Sequence, residues 1–149
     1  MDIGTTLFRL AAATLLSAVI GYEREVIRKP AGLRTMMLVG LGSCLFTIAS
    51  LEAASYSPTV DPSRIAAQIV TGIGFLGAGS IIRAGASVVG ITTAASIWLV
   101  AAVGLATGLG LYYQALAASL LGFAILRLVE RLIDRGLMRA RTRSGGPDD

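Results

Sequence analysis

Uncharged residues fall into four long runs along this chain, at 10–22, 35–51, 65–82 and 84–126, with charged side chains between them. The third run holds 18 residues between Arg64 and Arg83. As a helix it would measure about 27 Å, close to the hydrocarbon thickness of a bilayer. The second run holds 17 residues between Arg34 and Glu52, and the fourth holds 43, enough for two helices. The fourth divides where Gly104, Gly108 and Gly110 meet Tyr112 and Tyr113, since tyrosines favour the membrane interface. The first run is the least regular. Only 13 residues separate Arg9 from Glu23, about 20 Å of helix, which is short for a span. Arg9 must therefore lie in the outer part of the membrane, snorkelling to the surface or paired.

The pattern predicts an all-α membrane protein of about five transmembrane helices. They run near Ile3–Tyr22, Thr35–Leu51, Asp61–Arg83, Ile91–Thr107 and Tyr112–Val129. The first is read as a retained helix, because no basic region precedes it and no clear cleavage site follows. Residues 1–132 form the membrane domain and 133–149 a short basic tail. Arg127, Glu130, Arg131, Asp134 and Arg135 suggest that the last helix continues past the membrane with charge pairs three and four residues apart. The terminal TRSGGPDD reads as disordered.

Charge sets the orientation. Arg24, Arg28, Lys29 and Arg34 occupy the first connection, Arg83 the third, and six arginines the tail. Basic residues favour the cytoplasmic side. Five spans put all three basic regions inside and the N-terminus outside, whereas four would leave the tail arginines outside.

Composition narrows the function classes. A hydrophobic fraction of 54% and a mean hydropathy of +0.74 exceed the ordinary globular range. The net charge of +4 sits at segment ends without interleaved aromatics. That arrangement fits lipid headgroups and topology better than nucleic acid. With Cys44 alone and no histidine, an intrachain disulfide is impossible and no zinc or haem cofactor is expected. Cys44 is read as a small apolar filler. No nucleophile stands with a base, so no enzymatic activity is expected.

The third run is crowded with glycine, at Gly72, Gly74, Gly77 and Gly79. Three of these match G-x-G-x-x-G, but no strand precedes them and no acid follows before Glu130, so nucleotide binding is rejected. They read as helix-packing residues, as do Gly104 and Gly108. Asp61 and Pro62 mark a helix start. Asp61, Arg64 and Gln68 fall on one face of that helix, a polar stripe at the outer mouth, with Gln68 expected to make an interhelical hydrogen bond. At the inner mouth, Glu23 and Glu25 flank Arg24; they are either part of a solvated run or ion-paired with Arg34 or Arg83. Thr92 and Thr93 read by default as caps of the fourth helix.

Four blocks carry a resemblance: GYERE (21–25), AGLRT (31–35), DPSRIAAQIVTGIGFLGAGSIIR (61–83) and GITTAASIWLVAAVGLATGLG (90–110). In this order they resemble the MgtC/SapB family of bacterial inner-membrane proteins. The resemblance implies a multi-pass protein linked to magnesium limitation and, in some pathogens, virulence. It also implies a short, membrane-only form, since many members carry a soluble C-terminal domain. The motif positions carried over are Glu23, Arg24, Glu25, Arg34, Asp61, Arg64, Gln68, Thr92 and Thr93. Two functions follow as expectations. In one, the chain works through other membrane proteins or self-association within the bilayer. In the other, it belongs to a magnesium or other cation transporter or channel, with Asp61 and Glu52 at the outer mouth and Glu23 and Glu25 at the inner. Magnesium is usually held through one or two carboxylates, and no span carries one near its middle.

Overall fold

The computed structural model describes residues 2–56, 59 and 61–144, with side chains described as far as Leu132. Five helices and one small hairpin follow in order: α1 (Ile3–Val26), α2 (Leu33–Tyr56), α3 (Ser63–Gly79), β1 (Ile82–Ala84), β2 (Ser87–Val89), α4 (Ile91–Leu109) and α5 (Tyr112–Ser144). Each uncharged run supplies a helix, and most helices extend beyond their run because polar residues continue them. α1 passes through Glu23 and Arg24 to Val26, and α2 through Glu52 to Tyr56. α5 continues through Thr142 to Ser144, so the first three residues of TRSGGPDD are helical and not disordered. Residues 145–149 lie outside the described part.

α3 is shorter than predicted. It stops at Gly79, and Ile82–Arg83 belong to an antiparallel hairpin instead of a helix. Arg83 pairs in register with Val88, and the left-handed Gly85 (φ 62°) turns the chain between the strands.

Two helices end in the same way. The amide of Leu111 reaches Ala106 O and that of Gly110 reaches Thr107 O, with Gly110 left-handed at φ 85°. This is a Schellman closure, and it cuts the long apolar run in two. α1 closes likewise, Lys29 N to Arg24 O and Arg28 N to Glu25 O, but with Arg28 in the left-handed position (φ 53°).

The helices run up and down. Gly21 faces Leu33 and Met36 while Gly40 faces Ser17, so α1 and α2 are antiparallel. Gly104 faces Gly40 and Ser43, and Gly108 faces Cys44 and Thr47, so α2 and α4 are parallel. Gly77 meets Ala94, which sets α3 antiparallel to α4. α4 sits at the centre, touching every other helix, and α3 lies at the periphery against α4 and α2. The core joins Ile20, Met36, Ile69, Ile73, Ile97 and Val100, with a second cluster of Ala13, Cys44 and Ile48.

Large apolar side chains cover the outside: Leu15 is 68% exposed, Leu38 67%, Phe75 82% and Leu121 64%. In water a surface of this kind is costly; in hydrocarbon it is not. Among the described residues, α1, α2 and α4 are each long and apolar enough to cross a bilayer.

Candidate functional site

The up-and-down order gathers polar residues at the two ends of the bundle. At one end lie the close of α1, the hairpin, the start of α4 and the middle of α5. There a cavity of about 920 Å³ is lined by Arg24, Lys29, Ser80, Gly90, Thr92, Thr93 and Glu130, with an apolar wall that includes Val89, Ile91 and Leu126. Three sequence-predicted residues, Arg24, Thr92 and Thr93, therefore meet at one cavity, although 68 positions separate Arg24 from Thr92. Lys29 and Glu130 stand in the sequence only as charges of the first connection and of the last helix, and Ser80 carries no signal there. No spacing signal tied them to the cavity, because they come from three different elements.

Beside the cavity is a buried ion pair. Glu23 is 0% and Arg24 3% exposed. The Arg24 Nε donates to Glu23 Oε2 at 2.6 Å and its Nη2 to Oε1 at 3.2 Å. The expected partners of Glu23, Arg34 or Arg83, are replaced by its own neighbour. Arg83 instead turns its Nε onto the carbonyl of Gly85 at 3.2 Å, and Arg34 is exposed. Two charges taken out of water must satisfy one another, and this two-pronged geometry does so.

Glu25 does something else. Its Oε2 accepts the amide of Leu33 at 2.9 Å, holding the first turn of α2. A carboxylate there meets both an orphan amide and the positive end of the helix. Gly32 leaves the necessary room, since any Cβ at that position would overlap the Glu25 carboxylate.

Thr92 and Thr93 do not cap α4. Gly90, left-handed at φ 95°, occupies the cap position, and no side chain bonds the first amides. A Cβ on Gly90 would run into the Ser80 carbonyl, so glycine suits both its conformation and its surroundings. Thr93 is 2% exposed, and its hydroxyl has no partner among the described residues.

The other end is more open. Asp61, Arg64 and Gln68 are all exposed. α3 begins at Ser63, and the Asp61 carboxylate accepts the Ser63 amide at 2.8 Å from just ahead of the helix. The Ser63 hydroxyl and amide, helped by the nearby Arg64 charge, hold the Asp61 carboxyl below its usual range. Gln68 makes no hydrogen bond among the described residues, contrary to the interhelical bond expected of it. It lines an apolar groove of about 630 Å³ between α2 and α3, together with Gly42, Phe46, Gly72 and Leu76.

The glycines divide into two sets. Gly104 and Gly108 press α4 onto α2, where an added Cβ would collide with the Gly40 carbonyl or the Cys44 carbonyl and Thr47. Gly77 meets Ala94 in ordinary contact, 3.6 Å from a Cβ position. Gly72, Gly74 and Gly79 meet nothing within 4 Å, so they pack against no other part of the described chain.

A helical bundle with an apolar exterior and polar ends defines a membrane protein. The model of the MgtC family matches residues 10–135, and the chain belongs to this MgtC/SapB family. It is 47% identical over 120 residues to Protein SapB of Bacillus subtilis (strain 168), covering 76% of this chain and 52% of that one. It is 48% identical over 115 residues to Protein MgtC of Salmonella typhimurium (strain LT2), covering 77% and 48%. A third relative, of Escherichia coli K12, bears the name "Putative magnesium transporter YhiD"; identity is 42% over 134 residues, covering 87% and 62%. The chain thus spans about half the length of SapB and MgtC and about three fifths of YhiD. No solved structure matches it.

Proposed function

We propose that this MgtC/SapB membrane protein acts by docking a helix of another membrane protein on α3, and that it catalyses no reaction. The supporting observation is the set of open glycines on α3, with Gly72 and Gly79 along one edge of its outward side and Gly74 along the other. Gly72, Gly74 and Gly79 leave the α3 backbone bare on a peripheral helix. Bare backbone of this kind lets another backbone approach closely, which is how helices associate in lipid, where burial of apolar surface supplies little drive. Gln68 lies along the adjoining groove, its amide without a hydrogen bond among the described residues. An incoming helix that offers a polar side chain or backbone group would satisfy it.

The transport reading has less support. Of the acids assigned to an inner mouth, Glu23 is engaged by Arg24 and Glu25 by the Leu33 amide. The Glu23 carboxylate is thus spent on its neighbour, and that of Glu25 is engaged through one oxygen.

The setting proposed is the bacterial inner membrane, with five spans, the N-terminus outside and the basic connections inside. The first and third connections meet at the cavity end, which agrees with that orientation. The role we propose for the protein is in growth under low magnesium or in virulence, as the family resemblance implies.

A photo-crosslinker in place of Phe75, which is 82% exposed on α3, tests the reading in native membranes. A crosslink to another membrane protein is expected, and it should vanish in Gly74→Leu while insertion continues. Crosslinks confined to lipid or to a second copy, or a partner unaffected by Gly74→Leu, would overturn it. Magnesium flux into liposomes holding only this protein would favour transport instead.

A further inference from the structure

We infer that the cavity at the start of α4 is a binding site for a phosphoryl group carried on an amphipathic or small ligand. This does not rest on the docking role of α3, which lies on a different surface.

Three independent features converge there. The first is the end of α4 itself, a helix of 19 residues whose first amides receive no side-chain cap. An uncapped helix N-terminus presents N–H donors and a partial positive charge to an anion. The second is the hydroxyl of Thr93. It lines the cavity on a residue only 2% exposed, yet has no hydrogen-bond partner among the described residues. On a residue so enclosed a hydroxyl is ordinarily satisfied; this one keeps a small opening and no partner among the described residues, which leaves it to a ligand acceptor. The third is the pair of cations that also line the cavity, Arg24 and Lys29. Arg24 is fixed in place by Glu23, which spends its Nε and Nη2 and leaves its remaining nitrogen for another acceptor. Lys29 adds an ammonium that no carboxylate claims among the described residues.

Phosphate chemistry fits better than carboxylate because four donor types (amides, a hydroxyl, a guanidinium and an ammonium) surround one site. A phosphoryl group offers three acceptor oxygens to meet them, a carboxylate two. Glu130 is the one acid among the lining residues, and Val89, Ile91, Ile125, Leu126 and Val129 supply apolar wall. Together they allow the ligand a cationic or apolar continuation, as in a phospholipid headgroup. Free phosphate shares the recognition chemistry but not the continuation.

The full chain in detergent, probed by native mass spectrometry and thermal unfolding, separates these sources. Phosphatidylethanolamine, phosphatidylglycerol, inorganic phosphate and phosphate-free diacylglycerol are added in turn. Binding of a phospholipid or of phosphate, with no comparable binding of diacylglycerol, is expected. Thr93→Val keeps shape and removes the hydroxyl; Lys29→Gln changes only an exposed side chain. Each should weaken retention at least tenfold while the protein stays monodisperse and helical. A response to phospholipid alone assigns a headgroup, and a response to inorganic phosphate as well assigns a free phosphoryl ligand. Equal retention by wild type and both variants, or diacylglycerol binding as strongly, would overturn the site.

Discussion

Arg9, two turns into α1, donates from Nη1 to the carbonyl of Gly108 at the end of α4, 2.6 Å away and 99 positions along the chain. The last carbonyls of α4 have no partner within their own helix, and they form its negative end. A guanidinium meets both needs. Gly110 completes the arrangement, since a Cβ there would stand 3.1 Å from Arg9 Nη2. Phe8 beside it packs edge-on against Tyr112, at 5.4 Å and 75°, so α1, α4 and α5 are tied at one point. The arginine that shortened the first uncharged run is thus paired to backbone in the bundle.

Arg9→Met keeps most of the side-chain bulk and removes the bond. Hydrogen bonds to charged groups contribute about 1.5–3 kcal/mol, and the variant should lose roughly that much stability in detergent unfolding. Arg9→Lys should recover part of it. An unchanged unfolding midpoint for Arg9→Met would show that the contact is energetically idle.

The Glu23–Arg24 pair predicts a non-additive result. Glu23→Gln leaves a buried guanidinium without its counter-charge, and breaking a buried pair costs about 3–5 kcal/mol. Replacing both by apolar residues of similar volume should cost less than either single change, because no lone buried charge remains. A double-mutant cycle on unfolding midpoints checks the sign; simple additivity would mean that the two side chains act separately.

Glycines at α4 and α3 should respond oppositely to added side chains. Gly104→Val would force its methyls into the Gly40 carbonyl and Ser43, and overpacking of this kind costs about 1–3 kcal/mol or more. Gly72→Ala meets open space and gains helix propensity, up to about 1 kcal/mol. Comparing the two by thermal unfolding of the purified protein distinguishes internal packing from an outward face.

Asp61 predicts an acid-dependent fraying of α3. Its folded carboxyl lies below the usual value because the Ser63 hydroxyl and amide and the Arg64 charge favour the ionised form. A depressed carboxylate contributes stability above its unfolded pKa and loses it as pH falls through the folded one. Protection of the Ser63 amide in hydrogen exchange should therefore decline only below the ordinary aspartate range. In Asp61→Ala it should be weak at every pH, and in Asp61→Asn, which keeps the accepting oxygen but cannot ionise, it should lose its pH dependence. A decline centred at the ordinary range in the wild type would contradict the bond.

Arg28 holds a left-handed backbone (φ 53°) at the close of α1. That conformation costs a non-glycine residue roughly 1–2 kcal/mol. Arg28→Gly relieves it but adds about 0.5–1 kcal/mol of unfolded-chain entropy. A small net gain in stability is expected, read from the same unfolding curves.

The positions of the helices were legible because lipid excludes charge: uncharged runs mark where helices cross, and the glycine–tyrosine cluster at 104–113 marks where the longest run divides. The hairpin was not legible. Ile81–Val89 is apolar enough to pass for helix, and only the close of α3 at Ser80 and the left-handed Gly85 turn it into strands. The Glu23–Arg24 pair was missed for a geometric reason. Adjacent helical residues point in different directions and seldom bond, so only burial, which denies both any water, brings them together.

Order, approximate length and composition of the helices followed from sequence alone, because the bilayer imposes them segment by segment. Which polar groups meet was decided by tertiary structure. Arg9 finds α4, Arg24 shares a cavity with Thr93, and Gln68 faces an open groove, because each pairing depends on how helices far apart in sequence rotate and abut. The glycines show the same division. Their abundance was plain in the chain, but packing around α4 set apart Gly104 and Gly108, closed against α2, from Gly72 and Gly74, which face outward.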